Sequence, residues 1–262
     1  MPSIFPLEIE EIILDLLAED DKGHSVLKTC SLVCRAFLPN RRKHIFESIV
    51  LNRHDNNHYV ISPPTSPSHA FERLLRETPE IADYIRKLDY NILTADLTSS
   101  SIQESLKRIS RLEFLSVRYE NWPRLDWSNN PIRPTLLHLL HLPTLTHFKM
   151  VGMNDFIVSD LIPCVNHEYL DIGVYTTVAA ETTLHALPAL SENSIQLNEF
   201  VARNRTSTTV MKFCSARRPD GQPIIDFGSL TKITVTLDNP NEALQELFRR
   251  CHTLTNAHIS CT

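Results

Sequence analysis

The sequence predicts an α/β fold in which strand–helix units repeat along most of the chain and stack into a parallel sheet. A short apolar pattern recurs from Phe46 onward: an apolar residue, two others, an apolar residue, one other, and an apolar residue. Helix-like stretches lie before the copies, at residues 70–76, 102–109, 135–141 and 241–249. Because short apolar strands that alternate with helices typically form parallel sheets, the two observations together predict this class.

This recurring apolar triplet fixes which residues we expect in the core. Its last two positions point to one side of a strand, so stacked copies bury a continuous core that no copy could bury alone. Residues 115, 117, 148, 150, 233 and 235 should therefore be buried on parallel strands. The triplets are Phe46, Ile49, Leu51; Ile85, Leu88, Tyr90; Leu112, Leu115, Val117; Leu145, Phe148, Met150; Leu230, Ile233, Val235; and Leu254, Ala257, Ile259, with a degraded copy at Leu170 and Ile172.

Three short helices are predicted ahead of the repeats. The first covers residues 6–17, where Pro6 suits the first helical position and apolar residues recur at helical spacing. The second follows Ser25 and ends before Pro39, and the third runs through Arg41 to Phe46. Three helices of this size cannot hold a large core by themselves. We therefore expect this unit to need a partner.

The chain divides into three predicted parts. Residues 1–48 form the helical unit, residues 49–69 a first strand and a Pro-rich loop, and residues 70–262 the repeats. Residues 53–68 contain Asp, Asn and Pro clusters that resist both helix and sheet. The boundaries follow these shifts in composition.

Charge and composition exclude several classes of function. A net charge of -5 and a pI near 6.2 give no attraction to a polyanion, so we expect neither nucleic acid nor an anionic membrane as partner. The first apolar segment is interrupted by Glu10, Glu11 and Asp15, which predicts neither a signal peptide nor a membrane span. A cytoplasmic or nuclear location follows, and in such a compartment the 6 Cys are predicted to be buried thiols rather than disulfides.

The common catalytic signatures are missing from the sequence. There is no nucleophile elbow, phosphate loop, dinucleotide fingerprint or zinc-protease motif, so we expect no enzyme active site and no cofactor. His138, His141 and His147 lie close together in sequence without Cys or carboxylate at ligand spacing. Cys251, His252, His258 and Cys261 also lack paired close ligands, so no metal site is predicted in either place.

The helical unit carries a spaced pattern of apolar residues together with one Pro, one Glu and two Cys. Its positions are Phe5, Pro6, Glu8, Ile9, Ile13, Leu17, Leu27, Cys30, Val33, Cys34 and Phe37. This pattern, which covers about a sixth of the chain, resembles the motif of the F-box family, Leu-Pro-x-Glu-Leu followed later by Val-Cys-basic-x-Trp. Phe5 and Phe37 replace the usual Leu and Trp and preserve apolar bulk.

The resemblance implies a fold, a partner and a function. The matching residues would bind a Skp-type linker protein of a cullin complex, and fungal members of the family often carry irregular leucine-rich repeats behind the box. The chain would then be an F-box followed by an irregular leucine-rich-repeat-like solenoid. It would act as the substrate-recognition adaptor of an SCF-type ubiquitin ligase. Two alternatives remain: a repeat scaffold that does not deliver targets for degradation, and an unrecognised hydrolase.

A candidate target-binding segment follows the Leu115–Val117 strand. Residues 122–127 contain both Trp residues of the chain, Trp122 and Trp127, together with Arg124. Trp and Arg are the residue types most often found as binding anchors. The alternative is that each ring covers the core of an irregular repeat. The fixed charge of Arg124 favours an acidic or phosphorylated target protein.

Overall fold

The computed structural model describes residues 38–52, 67–179, 193–203, 207–238 and 240–261. Those residues form an α/β arrangement with a parallel central sheet, as the sequence predicts. The two first predicted helices, and all the residues that match the F-box motif, lie outside the described residues. So does most of the Pro-rich loop. The predicted domain boundaries stay predictions.

The described elements are twelve strands and six α-helices. The helices are α1 Leu38–Phe46, α2 Pro67–Glu77, α3 Ser100–Lys107, α4 Arg133–Leu140, α5 Ser207–Ser215 and α6 Pro240–Arg250. The strands are β1 Ser48–Leu51, β2 Lys87–Asn91, β3 Phe114–Arg118, β4 Leu125–Asp126, β5 His147–Val151, β6 Met153–Asn154, β7 Tyr169–Ile172, β8 Ile195–Gln196, β9 Glu199–Ala202, β10 Ile225–Asp226, β11 Lys232–Leu237 and β12 Asn256–Cys261.

The central sheet has eight strands that pair in chain order. The order is β1-β2-β3-β5-β7-β9-β11-β12, and every neighbouring pair is parallel. The register aligns Leu115 of β3 with Phe148 of β5, and Phe148 with Leu170 of β7. The second positions of successive triplets are therefore side by side across the sheet. Two short parallel ribbons, β4 with β6 and β8 with β10, lie outside it.

Side-chain alternation explains why one face of this sheet is the core. Residues at every second position of a strand point to the same side. Leu115, Val117, Phe148, Met150, Ile233 and Val235 are all at most 1% exposed and lie on parallel strands of this sheet, which confirms the expectation drawn from the triplets.

The helices cover that apolar face with one stripe each. Apolar residues four positions apart lie on the same side of a helix, and such pairs are buried in five of the described helices. α2 packs against α3, α3 against α4, and α5 against α6. The buried pairs are Phe71 and Leu75, Ile102 and Leu106, Leu136 and Leu140, Val210 and Cys214, and Ala243 and Leu247.

The predicted positions of several helices are confirmed. The stretches 70–76, 102–109, 135–141 and 241–249 correspond to α2, α3, α4 and α6, and the third N-terminal helix corresponds to α1. No helix in the described ranges is long and apolar enough to cross a membrane.

The cysteines follow the prediction only in part. Cys164 and Cys214 are buried free thiols, and burial raises the pKa of Cys214 to about 12. Cys251 is half-buried. The prediction of a buried thiol is wrong for Cys261, which is exposed because β12 lies at the edge of the sheet.

Candidate functional site

The predicted linker-binding residues all precede α1 in the chain. Phe5, Phe37 and the nine matching residues between them lie outside the described part of the chain, which starts at α1, directly after Phe37. The linker-binding surface therefore stays a prediction. The predicted target-binding segment, by contrast, is described in full.

Trp122 and Arg124 form an exposed cluster with Tyr175. The Arg124 guanidinium lies 4.4 Å from the ring centroid of Tyr175 and 5.4 Å from that of Trp122. Both distances are within the range of a cation–π interaction. Trp122 is 82% exposed and Tyr175 is 58% exposed, whereas Arg124 is half-buried between them. We call these three residues the Arg124 cluster.

Backbone contacts between neighbouring loops hold the Arg124 cluster together. After β3, β5 and β7 the chain continues pairing: Tyr119 N–H donates to Val151 O at 3.0 Å, and Gly152 N–H donates to Val174 O at 3.2 Å. The loop that carries Trp122 and the loop that carries Tyr175 therefore lie at the same end of the sheet, where the carboxyl ends of its strands are. Further on, β4 pairs with β6, and Phe156 bridges to Val178.

One glycine makes this close stacking possible. Gly152 has φ +75°, a left-handed backbone conformation that residues with a Cβ rarely adopt. A Cβ at this position would lie 1.9 Å from the carbonyl oxygen of Tyr119. The loop after β5 can approach the loop after β3 only because residue 152 has no side chain.

Trp127 belongs to the core rather than to the exposed cluster. Its ring is 1% exposed and lies edge-on to Phe156, with centroids 4.9 Å apart. Its Nε1–H donates to Asp160 Oδ2 at 2.7 Å, and Arg133 donates to both oxygens of the same carboxylate at 2.8 and 2.9 Å. The structure thus separates the three predicted target-binding residues. Trp122 and Arg124 lie together at the surface, while Trp127 anchors the segment from beneath.

Neither a protein-family model, nor a curated protein, nor a solved structure matches the chain.

Tyr175 and its neighbour Val174 were not among the residues predicted from the sequence to bind a target. Val174 is 43% exposed, which extends the apolar surface beside the Arg124 cluster. Tyr175 has φ 64°, an unusual conformation for a residue other than glycine. The available signal was local: two large apolar residues directly follow Gly173, beyond the last inward position of a strand, Ile172. Nothing in the spacing links them to Trp122.

His141 and His147, which lie close together in the sequence, contact a backbone carbonyl and an aromatic ring. His141 Nε2 is 2.8 Å from the carbonyl oxygen of Asp160, and the His147 ring stacks on Tyr169 with centroids 5.4 Å apart. Among the residues described, no group of three or more His, Cys, Asp or Glu could hold a metal ion.

Proposed function

We propose that this chain is the substrate-recognition adaptor of a cullin-based, SCF-type ubiquitin ligase. The observation that carries the proposal is the paired motif in the first residues: Phe5-Pro6-Leu7-Glu8-Ile9 and Val33-Cys34-Arg35-Ala36-Phe37. The residues that match the F-box motif bind a Skp-type linker, and the rest of the chain binds a target protein. The adaptor works in the cytoplasm or nucleus and has no active site of its own.

The parallel sheet supports the second half of this proposal. Stacked strand–helix units suit an irregular leucine-rich-repeat-like solenoid, because each unit contacts mainly its neighbours and the loops after the strands stay outside the core. The Arg124 cluster lies on those loops. Exposed aromatic rings around an Arg are the side chains that most often anchor a protein partner. We assign target contact to Trp122 and Arg124 and a supporting role to Trp127.

Catalysis is not required of such an adaptor. Binding the linker and the target at once raises the effective concentration of target lysines beside a ubiquitin-charged enzyme held elsewhere in the complex. The chain then contributes specificity alone.

Capture of the linker protein tests the first half of the proposal, that the residues matching the F-box motif bind a Skp-type linker. In the Pro6→Ala, Ile9→Ala double variant the first helix loses its favoured first residue and part of its apolar stripe, so co-purification of the linker and cullin should be lost. Arg124→Glu is the matched control and should retain the linker while weakening capture of the target. A folded double variant that still captures the linker at the wild-type level would contradict the proposal.

Target half-life separates the adaptor from a scaffold. If the chain delivers its target for degradation, the half-life of a co-purifying target protein should lengthen when the chain is deleted. An unchanged half-life with intact linker binding favours the non-degradative scaffold instead.

A further inference from the structure

The sheet face opposite the helices carries a second set of side chains in register. In the middle row Asp89, Ser116, Lys149 and Asp171 lie side by side on β2, β3, β5 and β7. Beside it runs an aromatic row. We call this face of β2 to β11 the polar sheet face; its aromatic row is Phe114, His147 and Tyr169.

At the centre of the polar sheet face two cations share one carboxylate. Lys149 Nζ lies 3.5 Å and Arg203 Nη2 lies 3.9 Å from Asp171 Oδ2. Both distances exceed the roughly 2.7–2.9 Å of a charge-assisted hydrogen bond. The side chains of Lys149 and Arg203 are 31% and 53% exposed, whereas that of Asp171 is 1% exposed. Among the described residues, one positive charge is therefore left uncompensated, and its donors face solvent.

The balance of charge on the polar sheet face indicates the sign of the charge on the partner that binds there. The face has a surplus of two positive charges in a chain whose net charge is -5, so it is a local exception to an acidic protein. Its cations are Lys87, Arg118, Lys149, Lys232 and Arg203, the last of which follows β9 and reaches Asp171; its anions are Asp89, Asp171 and Glu199.

The same features argue for a protein rather than a nucleic acid. Carboxylates of Asp89 and Asp171 are interleaved with the cations and would repel a continuous run of phosphates. The rings of His147 and Tyr169 stack on each other at 5.4 Å with planes inclined by 23°, so their facing surfaces are not available to a base.

We propose that the polar sheet face binds an acidic, extended segment of a protein partner. One carboxylate of that segment lies between Lys149 and Arg203, and an apolar side chain packs on the edges of His147 and Tyr169. This rests on the proposed function, since it names the chemistry of the target that the adaptor binds.

Binding of a defined peptide tests the inference. The probe is a fluorescein-labelled peptide of alternating Glu and Leu, titrated with the full chain and followed by anisotropy; its matched control replaces Glu by Gln. The Glu peptide should bind about tenfold or more tightly than the Gln peptide, since the site requires charge. Equal affinity for the two peptides would overturn the proposal.

Variants locate the binding. Lys149→Gln and Arg203→Gln should each weaken binding of the Glu peptide about tenfold, whereas Lys107→Gln, on the helical side, should not. Loss of binding in Lys107→Gln, or undiminished binding in Lys149→Gln and Arg203→Gln, contradicts the site.

Two further outcomes are distinguishable. A poly-dT oligonucleotide that binds more tightly than the Glu peptide, and loses affinity in Lys149→Gln, would make nucleic acid the occupant and the inference wrong.

Binding of the Glu peptide does not need the linker protein. Failure of linker capture with intact peptide binding would therefore overturn the proposed adaptor function and leave this site standing.

Discussion

Gly152 lies directly against the backbone of Tyr119, so close that a Cβ on residue 152 would meet the Tyr119 carbonyl oxygen at 1.9 Å. Gly221 has a similar positive φ, 84°, but no atom within 4 Å of an added Cβ. The two glycines therefore separate the cost of backbone conformation from the cost of a steric clash.

Gly152→Ala should be clearly more destabilising than Gly221→Ala. The second substitution adds only the strain of a left-handed residue, about 1–2 kcal/mol, while the first also forces two loops apart and should cost about 3 kcal/mol or more. Urea denaturation followed by circular dichroism measures both. Equal losses would mean that the loops after β3 and β5 separate easily.

The two Trp residues should differ sharply in their contribution to stability. Trp127→Ala removes a buried ring and leaves Asp160 without the indole donor, which should cost about 3–5 kcal/mol. Trp122→Ala removes a ring that is 82% exposed and should change the unfolding free energy by less than about 0.5 kcal/mol.

Acrylamide quenching checks the same difference without relying on stability. The chain has only 2 Trp, so each single variant reports the other ring. Emission should be quenched readily when Trp122 is the remaining indole and weakly when Trp127 remains. The reverse pattern would contradict the assignment of Trp127 to the core.

His167 occupies a core position that the other units fill with an apolar residue. It lies three residues before Leu170, as Leu145 lies before Phe148, and it is 2% exposed with neither ring nitrogen hydrogen-bonded to a described residue. Burial lowers its pKa from 6.5 to about 4. Folding therefore requires a neutral imidazole.

His167→Leu should stabilise the protein and flatten its response to acid. In the wild type the unfolded chain binds the proton first, so stability is complete above pH 6.5 and falls as the pH drops towards about 4. The loss is on the order of 3 kcal/mol. Denaturation at pH 7 and pH 4.5 measures it, with the exposed His138→Leu as control. If His167→Leu lost as much stability between pH 7 and pH 4.5 as the wild type, protonation of His167 would not be the cause of that loss.

Asp96 should stabilise the base of the loop that joins β1 to α2. Its buried Oδ2 accepts from Asn52 Nδ2 at 3.1 Å, Ser68 Oγ at 3.2 Å and Leu93 N at 3.0 Å. Asp96→Ala leaves those donors short of an acceptor and should cost about 3 kcal/mol, whereas the exposed Glu77→Ala should cost less than about 0.5 kcal/mol. A denaturation midpoint that is equal in the two variants would show that the network adds nothing.

The sheet could be predicted because its rule is local. Each strand places two apolar residues on the helical side at fixed spacing, so one unit of sequence carries the whole signal. The same spacing in Leu197, Phe200 and Ala202 marks β9, which the prediction missed because Ala202 adds little apolar bulk at the last position of the triplet. α5 was missed because it begins with Ser and Thr, which favour caps and strands over helix interiors.

Other features depend on contacts that no local pattern contains. In β12 the strand was predicted, but Ile259 is 37% exposed because a strand at the edge of the sheet has a neighbour on one side only. Trp122 and Arg124 could be chosen by residue type. Their contact with Tyr175 arises from the pairing of loops that belong to different units, and the burial of Trp127 arises from Phe156 and Asp160 in the next one.

Because the eight strands follow one another across the sheet in chain order, most stabilising contacts connect residues only a few tens of positions apart. Loop closure between such residues has a modest entropic cost, so ordered structure can nucleate at any adjacent pair of units and spread in both directions. The same order of strands determines which changes of the gene the fold can accommodate. A whole unit can be duplicated or deleted in the gene, and only the strands on either side of the change have to find a new neighbour.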